Sequence, residues 1–272
     1  MTQSLNDSIG MPLTFHKKPA LVVYVTCGDP DLATSREIVL AAINAGADVI
    51  ELGVPFSDPV ADGPVIQAAS DRALKNGVTL GDVLKLAAEV RKQAPKAGLI
   101  VFSYFNPILR YGLERFCEDA ARAGLDGALV TDLPVEEADD YVPLMRARNL
   151  ATVFLAAPTS TDERLKSVCE ASTGFLYAVS RTGVTGVRQQ LATDAGALVG
   201  RLRKFTHLPI AVGFGVSNPQ QFTEVGAFAD AAVVGTAIVQ LIERSGRASK
   251  AANAVAEFIG SLRAGTSAAV KV

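Results

Sequence analysis

The sequence predicts an α/β protein, a (β/α)8 barrel in a single domain over residues 1–272. Eight short apolar runs recur along the chain, longer amphipathic stretches separate most of them, and the total is 272 residues. Strands that are apolar throughout belong to parallel sheets covered by helices. Eight of them in about 250 residues is the size of a closed barrel. A doubly wound open sheet is the rival; it normally has fewer strands, and no GxGxxG turn follows the first run here.

The elements justify themselves in order. The run at 21–26 ends in a turn, Cys27-Gly28-Asp29-Pro30, before a helical pattern at 32–45. The run at 49–53 leads into a proline-rich loop, then helical patterns at 65–74 and 80–93. Runs at 99–104, 128–131 and 152–156 precede helical patterns at 113–123, 136–148 and 163–171. The last runs are 175–180, 210–214 and 232–234, with Thr236 where a new helix should begin. The phrases AGADVIELG, AGLDGALVTD and VGAFADAAVVGT each run helix end, glycine turn, Asp, strand. Glycine at helix C-termini accounts for that recurrence without a function. No linker marks a second domain, and the tail from Gly265 onward reads as frayed.

Composition excludes several classes. Lys and Arg number 26 against 28 Asp and Glu, a net charge of −2, so no electrostatic footprint for nucleic acid or an anionic membrane exists. Half the chain is apolar (49%), enough for a substantial core. Cys27, Cys117 and Cys169 are far apart and odd in number, and His16 and His207 are the only further soft ligands. Neither a zinc site nor a disulfide framework is expected, and a reducing cytoplasm fits. Lys17-Lys18 before an apolar run imitates a signal peptide, but the run breaks at Thr26 without a cleavage site. No stretch reaches the ~20 apolar residues of a membrane span.

In such a barrel the active site lies beyond the C-terminal ends of the strands. Glu51 sits at the end of the second run with apolar neighbours on both sides, in ELGVPFSDPVADGP. Apolar walls disfavour the charged carboxylate and raise its pKa towards neutrality, which suits a group that takes and gives a proton. Asp62 has two readings. It precedes Gly63-Pro64 and so could cap the next helix, or Pro55, Pro59 and Pro64 could fix it opposite Glu51. Asp58 could stabilise its own turn.

Gly213-Phe214-Gly215 and Gly235-Thr236-Ala237 stand after the seventh and eighth runs, where many barrels bind phosphate. Tight turns alone would also use these glycines. SRTGVTG (180–186) is long beside the roughly 2–6 residues usual for such a loop and reads as a lid or as a flexible connection. Arg181 there serves charge or only solubility, and His207 falls at the barrel's opposite, stability face.

ELGVPFSDPVADGPVIQ (51–67), with VTCGDPD, YFNPILRYG, TDLPVEE, SRTGVTG and GFGVS in the same order, closely resembles the tryptophan synthase α chain family. The resemblance implies a (β/α)8 TIM barrel that cleaves indole-3-glycerol phosphate to indole and glyceraldehyde 3-phosphate. By position Glu51 matches the general acid/base and Asp62 the acid that holds the indole N–H. Tyr177 matches a tyrosine near Glu51. Gly186, Gly213, Gly215, Gly235 and Thr236 match the phosphate positions, Thr185 a lid threonine, and Tyr24, Phe102 and Phe214 the indole-lining positions.

Two departures stand out: Thr236 replaces a common serine, and the first ~20 residues lack the amphipathic helix that often plugs the barrel bottom. The resemblance implies no cofactor in this chain. It implies a β-chain partner that carries pyridoxal phosphate (PLP) in an α2β2 heterotetramer. The contact surface would include the loops 54–60, 104–110 and 131–137, with Asp58, Asn106 and Pro134. A free-standing lyase and an inactive barrel kept as an allosteric partner are the alternatives.

Overall fold

A computed structural model describes residues 13, 15, 17–179, 188–213, 215–246 and 248–269, apart from the side chains of 188–193, 248 and 266–269. Its strands are β1 (Ala20–Thr26), β2 (Val49–Gly53), β3 (Gly98–Ser103), β4 (Gly127–Val130), β5 (Ala151–Val153), β6 (Leu155–Ala156), β7 (Leu176–Val179), β8 (Ile210–Gly213) and β9 (Ala231–Val234). All the pairings are parallel, in the order β5-β4-β3-β2-β1-β9-β8-β7-β6. The two ends of that order, β5 and β6, are consecutive in the chain across Phe154. The Phe154 carbonyl accepts from the Tyr177 N–H at 3.1 Å, so the sheet closes on itself. The expected fifth strand is therefore one strand in two pieces, because its first half pairs with β4 and its second with β7.

Around the barrel run α1 (Leu32–Ala45), α2 (Pro64–Lys75), α3 (Leu80–Gln93), α4 (Phe105–Tyr111), α5 (Leu113–Arg122), α6 (Tyr141–Ala147), α7 (Asp162–Ala171), α8 (Arg188–Leu202), α9 (Pro219–Gly226), α10 (Thr236–Ser245) and α11 (Ala248–Ala269). Local chemistry starts and stops them. Asp31 caps α1 by accepting from the Thr34 N–H, and Gly46 ends it at φ 113°, where a side chain would strain the backbone. Thr79 and Asp82 form a reciprocal capping box on α3.

Two expectations need correction. The helix expected over 136–148 is a 3-10 turn, Val135–Glu137, followed by the separate α6. Pro143 is tolerated only in a helix's first turn, so a helix through it must start just before it. The segment 104–110, expected as a loop, is mostly α4, whose first N–H (Phe105) is satisfied by Asp132 Oδ1 at 2.7 Å. The helix α11 is described as far as Ala269. Gly265 lies so close to α9 that a Cβ there would stand 2.7 Å from Pro219 Cβ.

The core has two shells. Leu21, Val23, Ile50, Leu52, Leu99 and Val101 point outward against the helices, while Val22, Val49, Ile100, Leu129, Val153 and Phe175 fill the barrel. Leu13 and Phe15 join the inner shell, Phe15 at 5.7 Å from the Phe175 ring. The barrel bottom is thus plugged by two side chains that belong to no helix.

At that bottom, four residues just before alternate strands repeat one device. Asp48 donates its N–H to the Leu21 carbonyl and accepts the Leu21 N–H at 2.7 Å through its carboxylate. Asp126 does the same with Leu99, and Asp230 with Ile210. Thr173 does so with Thr152, using its hydroxyl at 3.0 Å. Each of the three carboxylates also meets an arginine: Arg263, Arg91 and Arg203 respectively. The recurring Asp phrases of the sequence are three of these four corners.

Candidate active site

Side chains alternate along β2, so Val49, Glu51 and Gly53 all face the barrel interior. Glu51 is not the strand's last residue: Leu52 and Gly53 follow it in register with β1 and β3. That sets the carboxyl one layer below the rim, 1% exposed, beside Tyr24 on β1 and Ile100 on β3. Neither carboxyl oxygen has a hydrogen-bond partner among the described residues. Burial alone pushes its pKa up to about 8, the direction its apolar neighbours in the sequence imply.

Asp62 reaches the same cavity from the loop above. Its side chain does not cap α2, whose N-cap is Gly63 without a side-chain hydrogen bond. Instead its Oδ2 accepts from the Tyr104 hydroxyl at 3.0 Å. The backbone is fixed on both sides: the Asp62 N–H donates to Pro59 O at 3.0 Å, and its carbonyl accepts from Gln67 Nε2 at 2.9 Å. Burial raises its pKa, and the Tyr104 hydrogen bond opposes that rise.

Two tyrosines flank Glu51 in matched settings. Tyr24 leans over the next strand's Gly53, where a Cβ would stand 2.5 Å from its hydroxyl; Tyr177 leans over Gly213, where a Cβ would stand 2.6 Å away. Both rings need a glycine two residues past their own register partner. Thr26 Oγ1 donates to the Tyr24 oxygen at 3.3 Å, and Phe102 packs edge-on to Tyr24 at 5.0 Å. Burial first, then the nearby carboxylates, drive both phenol pKa values upward, so both stay protonated.

The opposite wall is backbone-rich. β8 ends at Gly213, and Gly215 adopts φ 68°, a conformation that favours glycine. α10 starts at Thr236 as expected, and its N-cap Gly235 contributes no side-chain bond, leaving N–H groups at the helix start for an anion. Tyr24, Glu51, Asp62, Phe102, Tyr177, Gly213, Gly215, Gly235 and Thr236 all line one cavity of about 520 Å³. Thr185, Gly186, Phe214 and Arg181 lie outside the described residues. The sequence reading missed other lining residues, among them Thr131, Val216, Ser217 and Gln240, and also Tyr104, which holds Asp62. Ser217 lay within a quoted motif; Gln240 is legible only as one turn beyond Thr236 on α10. Among the described residues no His, Cys, Asp or Glu group could hold a metal ion.

A model of the tryptophan synthase alpha chain family matches residues 12–267. The chain belongs to the tryptophan synthase α chain family. The α chain of Solibacter usitatus is 52% identical over 228 residues, 84% of this chain and 85% of that one. Tryptophan synthase subunit alpha from Legionella pneumophila superposes with a TM-score of 0.85 at 34% identity, covering 92% of this chain and 93% of that one. A chain of the tryptophan synthase complex from Pyrococcus furiosus gives 0.83 at 37% identity, covering 91% and 99%.

Family members share the barrel seen here. In this member Asp58 and Asn106 are exposed on the rim, away from the cavity, and Pro134 is half-buried. Val60 (84% exposed) and Leu109 (52%) are its large exposed hydrophobic residues among those described. No helix among the described residues is long and apolar enough to cross a membrane.

Proposed function

We propose that the chain is a carbon–carbon lyase of tryptophan biosynthesis, cleaving indole-3-glycerol phosphate to indole and glyceraldehyde 3-phosphate. The observation that carries this reading is Glu51: a buried carboxyl without a hydrogen-bond partner, pushed to about 8, facing a cavity that has Asp62 on one wall and a helix start on another. With that pKa Glu51 holds its proton at neutral pH. It gives this proton to indole C3, and Asp62 accepts the indole N–H as the ring nitrogen becomes positive. The Glu51 carboxylate then takes the proton of the glycerol hydroxyl adjacent to the ring. The oxygen's electrons form the aldehyde, the bond to C3 breaks, and its electron pair returns to the ring. One proton has moved from hydroxyl to C3, and Glu51 is protonated again. The α10 N-terminus and the glycines at 213, 215 and 235 hold the phosphate.

The same reading gives the chain a β-chain partner in an α2β2 heterotetramer in the cytoplasm, with PLP in the β chain and indole passed to it. The tryptophan synthase complex solved from Pyrococcus furiosus and the three free, buried cysteines support it. Asp58, Asn106, Pro134, Val60 and Leu109 form the contact rim. The test is indole release by wild type and Glu51→Gln, each with and without β chain. Glu51→Gln should lose roughly 100- to 10,000-fold in rate while retaining substrate binding. Near-wild-type cleavage would sink the assignment. Activation of the wild type by β chain supports the subunit role, and unchanged rates favour a free-standing lyase.

A further inference from the structure

Asp62 sits in a loop with no helix cap to orient its carboxylate, and the adjacent Gly63 has no side chain to pack beside it. One side chain does hold it. Tyr104 lies 42 residues away, directly after β3, and is 2% exposed. Its hydroxyl is used twice: the oxygen accepts from the Ala61 N–H at 2.9 Å, and the hydrogen goes to Asp62 Oδ2 at 3.0 Å. Acceptance from the backbone fixes the hydroxyl's orientation, so the proton has a defined direction, towards the carboxylate.

The same residue is gripped from the rim. Its ring packs on Phe56 at 5.1 Å, just before exposed Ser57 and Asp58. It is the N-cap residue of α4, and the next N–H, of Phe105, donates to Asp132 at 2.7 Å. Ser103 Oγ donates to the Tyr104 carbonyl at 2.9 Å, and the Thr131 N–H donates to Ser103 O at 2.9 Å. Three segments separated in sequence, 54–62, 104–111 and 131–132, therefore meet around Tyr104, the first at its side chain and the last at the backbone on either side of it. Their outward faces carry the exposed Val60 and Leu109.

We propose that Tyr104 is a positioning residue: it aims the Asp62 carboxylate, and it transmits to that carboxylate the docking of a partner chain on the rim formed by 54–60, α4 and 131–137. This rests on the cleavage reading above for Asp62's role. The bond is of the charged kind, and hydrogen bonds to charged groups are the stronger ones. Packing alone would need only the ring, which phenylalanine supplies. The hydroxyl is thus the part to remove.

The experiment compares wild type with Tyr104→Phe for indole release across pH, alone and with β chain. Loss of one hydrogen bond to an ionised group predicts a roughly 10- to 100-fold fall in kcat with KM little changed. The hydroxyl's bond lowers the Asp62 pKa, so without it the acid limb of the rate profile moves to higher pH. Activation by β chain should shrink several-fold. A wild-type kcat and acid limb overturn the positioning role, and undiminished activation overturns the transmission. If wild type itself releases no indole, the cleavage reading has failed. The carboxyl carbon resonance of Asp62, followed by NMR against pH, then decides: a higher midpoint in Tyr104→Phe supports the proposal, and an unchanged one overturns it.

Discussion

The two ends of the barrel treat a strand carboxylate in opposite ways. At the bottom, Asp48, Asp126 and Asp230 each close a neighbouring strand's N–H and each meet an arginine. At the top, Glu51 is more deeply buried than any of them and has no hydrogen-bond partner among the described residues. The bottom aspartates stand just before strands of the same kind as the one that carries Glu51, so the difference lies in what the neighbours supply. Backbone N–H groups and guanidinium groups tie the bottom carboxylates into the fold through charge-assisted hydrogen bonds. Tyrosine rings and aliphatic strands leave Glu51 to hold a proton, which costs stability and creates a reactive group.

The largest test of this contrast is the pH dependence of stability. Glu51's pKa rises from 4.5 to about 8 on folding. Below 4.5 both states are protonated and the site is neutral in cost. Between 4.5 and 8 the unfolded chain releases a proton that the folded chain keeps, so stability falls as pH rises, and above about 8 the loss is complete. The magnitude is on the order of 3–5 kcal/mol. Glu51→Gln cannot ionise and escapes this loss. Urea midpoints at pH 5 and pH 9 should show the variant gaining on wild type with rising pH; parallel profiles would show that Glu51 is solvated after all.

The bottom predicts the reverse partition. Asp48→Ala strips the acceptor from the Leu21 N–H and leaves Arg263 without its carboxylate, in a site where that arginine also donates to Gly46 O and Pro19 O. We expect about 2–4 kcal/mol lost in denaturant midpoint, with kcat of the folded protein unchanged. A fall in kcat at full folding would mean the two ends are coupled.

What the sequence made legible follows the same division. Apolar runs and glycine placement exposed the strands and the α10 start at Thr236, and apolar neighbours singled out Glu51, because each is a local pattern. The recurring Asp phrases were visible, but as glycine turns: the N–H that the Asp48 carboxylate accepts belongs to Leu21, 27 residues back, and nothing local encodes it. Tyr104 escaped for the same reason, since its partner Asp62 is 42 residues away. Spacing left Asp62 open between cap and site because Gly63-Pro64 suits both, and only the fold removes the cap. The break before α6 was legible in principle, from Pro143, and was overridden by the amphipathic pattern around it.

The smallest predicted effect concerns the fourth corner, where Thr173 replaces aspartate. Its hydroxyl accepts the Thr152 N–H at 3.0 Å and lies 3.3 Å from the Thr152 hydroxyl, and it is 3% exposed. Among the described residues, no arginine is bonded to it, unlike its three counterparts. Thr173→Val keeps the shape and leaves the Thr152 N–H unmet, at about 1–2 kcal/mol. Thr173→Asp restores the acceptor used at the other corners but buries a charge with no guanidinium. If arginine is what permits a carboxylate there, Thr173→Asp is less stable than wild type at pH 7. The deficit must then shrink on acidification, because the buried aspartate recovers its proton in the folded state first. A Thr173→Asp protein as stable as wild type at pH 7 would show that the strand N–H alone suffices to hold a charge at the barrel bottom. The isolation of Glu51 from such donors at the top would then be the whole difference between the two ends.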